Sequence, residues 1–538
     1  MAAGPEIPAG VSERPLVSRK RLGCRNLVLG SAALVALGAG AFWLSGREPV
    51  PVALSVTPDG LKPVGTVSDR FLSYNVEMVE VTGGRFWRPY KDGKRKGDDR
   101  YEHRGPLDLS DQRLTMLAKA LGPAYVRFSG TWANATYFDP DGSTRGKAPK
   151  GFDTVLTGKE WLGAIDFARA VDAQIVTSFA TSPGVRDSKG VWQSAEADRL
   201  IAFTRNQGAT IAAAEFANEP ETVELTQAPK GYTPADYRRD YGRFYDWIRK
   251  ASPSTKILAP GAAELGEPTA FLRKWASGYT IFDRRDLIAA GQHKPDGVSF
   301  HFYGGGSVRC GEMPLIGYGK KDALSKSWLG LIDKAISTTA DLRDKVAPGA
   351  PLWLTETGET ACGGNPWAAT FTDTFRFTDQ LARSARQGVD VFIHNTLSAS
   401  DYGLIDETSY APRPNYWAAW LWRRFMGTKV LDAGKGTTGL HLYAHCLRDR
   451  PGGVAMLAIN LDEKAKREMR IPMGAQLYTM QQGRTDAQAT LNGRLMQVGP
   501  AGDFPALTGV QVEPGRLELQ PTSINFIAFP AAGNPACR

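Results

Sequence analysis

Two glutamates stand out for the residues around them. Glu219 lies in Asn218-Glu219-Pro220, closing the apolar run ATIAAAEFANEP (209–220), and Glu356 lies in Thr355-Glu356-Thr357, within PLWLTETG (351–358). Neither run holds a cation that would pair with its carboxylate locally. Two carboxylates facing one cleft are what cleavage of a glycosidic bond requires. One protonates the departing oxygen while the other stabilises or attacks the anomeric carbon. Each alone is equally well explained by a surface or salt-bridge role. Together, inside otherwise apolar runs, they are better explained as a catalytic pair. Asn218 can hydrogen-bond a sugar hydroxyl, with a turn cap as its plainer role. His301-Phe302-Tyr303 closes another apolar run, where the Tyr303 hydroxyl would donate to Glu356 and keep it ionised and aimed. His301 is counted with the substrate-contacting residues. Arg127 and Thr131 are expected on the floor of the cleft, with a buried ion pair as the plainer role of Arg127.

These groups need a frame that brings distant runs to one mouth. Eight short apolar runs serve: 71–78, 124–130, 173–180, 209–220, 255–261, 296–303, 351–358 and 389–397. Amphipathic stretches such as 110–122, 158–172 and 372–388 alternate with them. Strand and helix in alternation predict an α/β fold, a (β/α)8 TIM barrel over residues 71–427, with active groups at the C-terminal ends of its strands. Its last helix is expected over 414–427, ending at Gly427. From 428 to 538 the helical period fades and short strand-like segments follow one another, which predicts a C-terminal β-sandwich. Residues 50–70 are expected to add a strand to that sandwich.

The chain has 538 residues, a net charge of +9 and 42% hydrophobic residues, which excludes disordered and multi-span membrane classes. Six basic and three acidic residues fall in the first fifty, so +3 of the +9 belongs there. Between Arg25 and Arg47 the sequence NLVLGSAALVALGAGAFWLSG carries no charge. Residues 1–49 are therefore expected to form a cytoplasmic basic tail and a membrane anchor or signal segment that exports the rest. Four cysteines follow it, Cys310, Cys362, Cys446 and Cys537; an oxidising compartment then implies two disulfides, with three pairings open. No C-x-x-C or H-E-x-x-H spacing occurs, and no metal or cofactor is expected. Gly434–Gly439 fits G-x-G-x-x-G but leads into a strand-like segment, which makes it a loop. The run Lys91–Arg100 has five basic and three acidic residues; on the active-site side of the barrel it would attract an acidic polymer. Nothing points to nucleic acid.

The ordered string KALGPAYVRFSGTWANATYFD (119–139), EFANEP (215–220), VSFHFY (298–303), LWLTETGETACGGN (352–365) and SDYGLIDE before PNYWAAWLWRRFMGTKVL resembles glycoside hydrolase family 79, the heparanases and their relatives. The resemblance implies a retaining mechanism on β-linked glucuronic acid, with Glu219 as acid/base, Glu356 as nucleophile and a covalent glycosyl-enzyme intermediate. It implies that Gly363 and Gly364 hold the sugar carboxylate through backbone N–H groups, assisted by Tyr402. Asn218, Thr131 and Tyr303 also fall on family positions. It further implies a Cys446–Cys537 disulfide tying down the sandwich. The second expected pair, Cys310 and Cys362, would stiffen the Gly363-Gly364 loop.

The departures bear on substrate. Glu77 stands where mammalian heparanases have an aspartate in contact with the sugar. Glu264 and Glu267 follow the fifth run, where those enzymes are basic, and two acids there would repel sulfate. The excised linker of the mammalian proenzyme has no counterpart between Phe138 and Leu162. The expected partner is a lightly sulfated glucuronide or glucuronic-acid-containing polysaccharide. Two other readings stand beside it: another retaining glycosidase of this barrel class, of β-xylosidase or arabinofuranosidase type, or a non-catalytic, membrane-tethered polysaccharide-binding protein.

Overall fold

Apolar runs too short for helices and bounded by turn formers become strands covered on both faces. In the structure, a computed structural model describing residues 54–90, 100–264, 279–291, 293–310 and 319–538, they close into one parallel barrel. Its strands are β1 (Leu72–Glu77), β2 (Ala124–Ser129), β3 (Ala173–Ser178), β4 (Ile211–Glu215), β5 (Lys256–Ala263), β6 (Gly297–Phe302), β7 (Leu352–Thr357) and β8 (Val389–His394). β8 pairs with β1 to complete the circle. Side chains alternate across each strand. One set packs outward on helices, while Tyr125, Val176, Ala213, Leu258, Trp353, Val391 and Ile393 form a separate apolar plug. Two residues beyond Tyr125 and Ala213, on the same face, come Arg127 and Glu215, so a polar layer follows that plug along the strands.

The longer helices are α1 (Gln112–Lys119), α2 (Gly158–Ala170), α3 (Ala195–Asn206), α4 (Pro234–Ala251), α5 (Leu331–Val346), α6 (Phe371–Arg386) and α7 (Pro414–Phe425). Their starts are written locally. Thr157 with Glu160 and Thr233 with Asp236 form reciprocal caps, and Pro234 and Pro414 occupy the first turn, where no N–H is needed. A helix after every strand was expected. Among the described residues β5 is followed only by the short turn Arg284–Asp286, and residues 265–278 lie outside them.

After α7 the strands are antiparallel: β9 (Met426–Leu431), β10 (Leu440–Leu447), β11 (Val454–Asn460), β12 (Arg467–Ile471), β13 (Ala475–Gln482), β14 (Gly515–Leu519) and β15 (Ser523–Phe529). Pro63–Thr66 joins the large sheet beside β9, and Leu54–Ser55 joins β12 and β14 in a small one. The large sheet is covered on both faces, which is why β11 and β15 read as nearly continuous apolar runs. Val454, Met456 and Ala458 meet Met469, Leu517 and Leu519 of the small sheet. Ala455, Leu457 and Ile459 belong to the barrel's core instead, where Phe425 of α7 lies 4.4 Å from the Tyr478 ring and 5.6 Å from that of Phe526. All of α7 except Arg424 is buried as a result.

Several expectations change. The fourth strand ends at Glu215, so Asn218 and Glu219 sit in the loop beyond it. Helix α7 does not end in a glycine cap: Phe425 leads straight into β9, and Gly427 is there because a Cβ would lie 2.6 Å from the Cys446 carbonyl oxygen. The segment 434–439 is a loop with no helix after it, as expected. The anchor or signal segment 1–49 and residues 91–99 of the basic run lie outside the described residues. Among the described residues no helix is long and apolar enough to cross a membrane.

Candidate active site

Glu219 is placed by its backbone. Its N–H donates to the Gly261 carbonyl near the end of β5 at 3.0 Å, and its φ is +48°, a left-handed conformation costing a non-glycine residue about 1–2 kcal/mol. Glu356 comes from the end of β7, in register with His301 on β6. One oxygen of each glutamate and a ring nitrogen of His301 lie within 4.8 Å of one another. By distance the three could ligate a cation. However, the guanidinium of Arg127 already lies 3.1 Å from Glu356 and 3.3 Å from His301, so positive charge is built into the site.

Arg127 is wholly buried at the centre of the polar layer. It donates to Glu215 at 2.8 Å, to Glu356 at 3.1 Å, to Asn218 at 2.7 Å and to Asn75 at 3.3 Å. It is therefore both an ion-pair partner and the clamp that aims Glu356 and Asn218. Burial alone would raise the Glu215 pKa, but the charges of Arg127 and His301, with the hydrogen bonds from Thr355 and Arg127, together hold the carboxyl below its ordinary value. His301, expected to touch the sugar, is instead fully buried. Nδ1 lies 3.3 Å from Glu219 and 3.7 Å from Glu356, and Nε2 faces Arg127, so the ring spaces the two acids. Burial opposes its protonation, but the charge of Glu356 and the hydrogen bond to Glu219 prevail and raise its pKa.

The other oxygen of Glu356 accepts from the Tyr303 hydroxyl at 2.8 Å, the contact expected from the sequence. Asn395, just beyond β8, links three groups. Its Nδ2 donates to Tyr303 Oη (2.9 Å), Tyr402 Oη (3.0 Å) and Glu77 Oε1 (3.0 Å). Burial, then the nearby charge of Glu356, pushes the Glu77 carboxyl well above its ordinary pKa. Thr131 opens the short turn Thr131–Ala135 after β2 and is half-buried.

Glu77 is backed by Glu80, which accepts from the Glu77 N–H at 2.6 Å and the Ala399 N–H at 3.2 Å. Burial pushes the Glu80 carboxyl up to about 8 from an ordinary 4.5. A folded value above the unfolded one gives stability that is full below about pH 4.5 and is lost as the pH rises towards 8. Glu80→Gln keeps the accepting oxygen without the ionisation. Its melting temperature is expected to fall less than the parent's between about pH 5 and pH 8. Parallel curves for the two proteins would refute this assignment.

Gly363 and Gly364 follow β7 in a loop tied to the barrel by the Cys310–Cys362 disulfide; Cys446–Cys537 joins β10 to the C-terminus. Their φ values are +81° and +82°, and both residues are buried. Among the described residues neither N–H has an acceptor, so two buried donors are left for a ligand. A Cβ on Gly364 would lie 3.3 Å from Tyr402, so this turn, Tyr402, Asn395 and Glu356 form one continuous wall. Glu264 does not act as a free acid of the cleft, because it pairs with Arg284 and accepts from Thr338; Glu267 lies outside the described residues.

Glu215, Asn395 and Arg309, which lies under the Gly363-Gly364 turn, were missed in the sequence. Glu215 and Asn395 lie inside the fourth and eighth apolar runs, where the strands end at Glu215 and His394, and a search of those runs for polar residues of any type would have found both.

No family model matches the chain. It is 24% identical over 541 residues to heparanase of Bos taurus, covering 88% of this chain and 91% of that protein. It is 28% identical over 322 residues to baicalin-beta-D-glucuronidase of Scutellaria baicalensis, covering 56% of each. The solved 4-O-alpha-L-rhamnosyl-beta-D-glucuronidase of Fusarium oxysporum, in complex with Rha-GlcA, superposes with a TM-score of 0.59 at 14% identity. That match covers 89% of this chain and 99% of the other, and at such identity it establishes a common fold.

Proposed function

We propose that this chain, a heparanase-like glycoside hydrolase, cleaves β-linked glucuronic acid from glucuronides or glucuronic-acid-containing polysaccharides, with retention at the anomeric carbon. The observation that carries the reading is the pair of N–H groups of buried Gly363 and Gly364, without an acceptor among the described residues, on the wall shared with Tyr402 and Glu356. Left-handed glycines let backbone amides approach an anion closely, which suits the carboxylate of a uronic acid. Two relatives whose names specify heparanase and a glucuronidase point the same way.

In this mechanism Glu356 attacks the anomeric carbon while Glu219 protonates the departing oxygen. Water then hydrolyses the glycosyl ester, with Glu219 accepting its proton. Both oxygens of Glu356 are held, one by Tyr303 and one by Arg127, which fixes the direction in which the carboxylate points. The close approach of the two carboxylates, within 4.8 Å, supports retention, since inversion needs about 6.5–9.5 Å to admit a water. Asn218, Thr131 and Glu77 are assigned to sugar hydroxyls. Two disulfides support an oxidising compartment, and residues 1–49 are assigned to export. With Glu264 neutralised by Arg284, its charge no longer argues against sulfated chains.

kcat/KM on an aryl β-glucuronide is expected to exceed that on the matching β-glucoside by more than about 100-fold, because the amide pair is left unsatisfied by a neutral sugar. Equal values would sink the glucuronide reading and favour a neutral-sugar glycosidase.

A further inference from the structure

The Gly363-Gly364 turn is held from behind by the Arg309 side chain, and Ser307 Oγ adds a hydrogen bond to the Cys362 carbonyl at 3.1 Å. Arg309 is wholly buried. Nη1 donates to the Cys362 carbonyl at 2.7 Å and to the Gly364 carbonyl at 3.3 Å. Nη2 donates to the Arg88 carbonyl at 2.8 Å and to the carboxylate of Asp401, and the guanidinium lies 4.0 Å from the centre of the Tyr90 ring. One planar fork thus joins the loop after β7, the segment at Arg88–Tyr90 and the loop after β8. The next residue, Cys310, forms the disulfide to Cys362, so the cation and its main acceptor are linked covalently as well.

Three successive residues, Cys362, Gly363 and Gly364, have φ of +64°, +81° and +82°. The carbonyls of the first and third turn to the same Nη1, and that of Gly363 accepts from the Asp401 N–H at 3.1 Å. With the carbonyls committed to one side, the free N–H groups are fixed facing away, as in a nest for an anion. A buried cation behind the turn also aligns the peptide dipoles in the sense that attracts negative charge.

We infer that Arg309, braced by the Cys310–Cys362 disulfide, is the positioning residue that sets this enzyme's preference for a carboxylate-bearing sugar, an inference that rests on the glucuronide reading above. A lysine keeps the charge, but its compact ammonium has three N–H groups and no planar fork for the four acceptors that Arg309 serves.

The test uses the full chain with an aryl β-glucuronide and its methyl ester, which presents the same sugar without the charge. In Arg309→Lys, kcat/KM on the glucuronide is expected to fall about 100-fold, mainly through KM, while the ester changes less than about threefold. The double variant Cys310→Ser, Cys362→Ser keeps the guanidinium and loosens the turn. The same selective loss is expected there at about tenfold, and this variant decides the matter if Arg309→Lys does not fold. An equal fall on both substrates, or no fall on either, overturns the inference while the parent's preference for glucuronide stands. A parent enzyme that does not distinguish glucuronide from ester fails at the earlier step, and the glucuronide reading falls with it.

Discussion

Glu356→Ala is expected to lower kcat by on the order of 10⁵-fold, because no other described group can form the covalent intermediate in its place. Its two hydrogen bonds, from Tyr303 and Arg127, would then aim at a vacated space beside the anomeric carbon. Azide is small enough to occupy such a space and is expected to restore part of the rate, giving a glycosyl azide of inverted configuration. Glu219→Ala should behave differently. The loss there is about 10²–10⁴-fold and smallest for activated leaving groups, and azide attacks the intact intermediate to give the retained product. If the two variants gave products of the opposite configurations, the roles of nucleophile and acid would have to be exchanged.

Arg127→Met carries the largest expected effect on stability. The change leaves the fully buried Glu215 without its ion pair at 2.8 Å, and a buried charge deprived of its partner costs about 3–5 kcal/mol. The pH dependence identifies the cause. In the parent, the Glu215 pKa is held below its unfolded value, so the stability it contributes is present above about pH 4.5 and is lost as the pH falls through the folded value. Without the arginine, burial is opposed only by the charge of His301 and the hydrogen bond from Thr355, so the carboxyl pKa rises and the variant gains relative to the parent as the solution is acidified. The gap between the two melting temperatures should therefore narrow towards low pH; a constant gap would mean lost packing rather than a lost charge.

The barrel was readable because each strand is covered on both faces and so stays mostly apolar up to the polar layer near its C-terminal end. Glu219 and Glu356 stood out against that background for the same reason. Arg127 was legible as a buried cation but not as a clamp, since its partners Glu215, Asn218 and Glu356 come from three other stretches of chain and meet only when the barrel closes. Asn395 stood out only as a polar residue inside the eighth run, and its role shows only when Tyr303, Tyr402 and Glu77 are seen around it. Composition says nothing special about Gly363 and Gly364, and it was the motif resemblance that singled them out. His301 was legible as a polar residue at a strand end, but not its placement, with Nδ1 near both Glu219 and Glu356 and Nε2 toward Arg127.

The sheet with two covered faces has a consequence for anyone wishing to take this molecule apart. Ala455, Leu457 and Ile459 on one side of a strand serve the catalytic half, and Val454, Met456 and Ala458 on the other serve the C-terminal half. A single strand thus answers to two interiors, and no cut between Phe425 and Met426 leaves either half with a finished surface. The enzyme is not modular in the sense that cloning assumes. Its catalytic unit cannot be grafted onto another carrier without rebuilding α7, and natural variation in one half has to be matched by variation in the other.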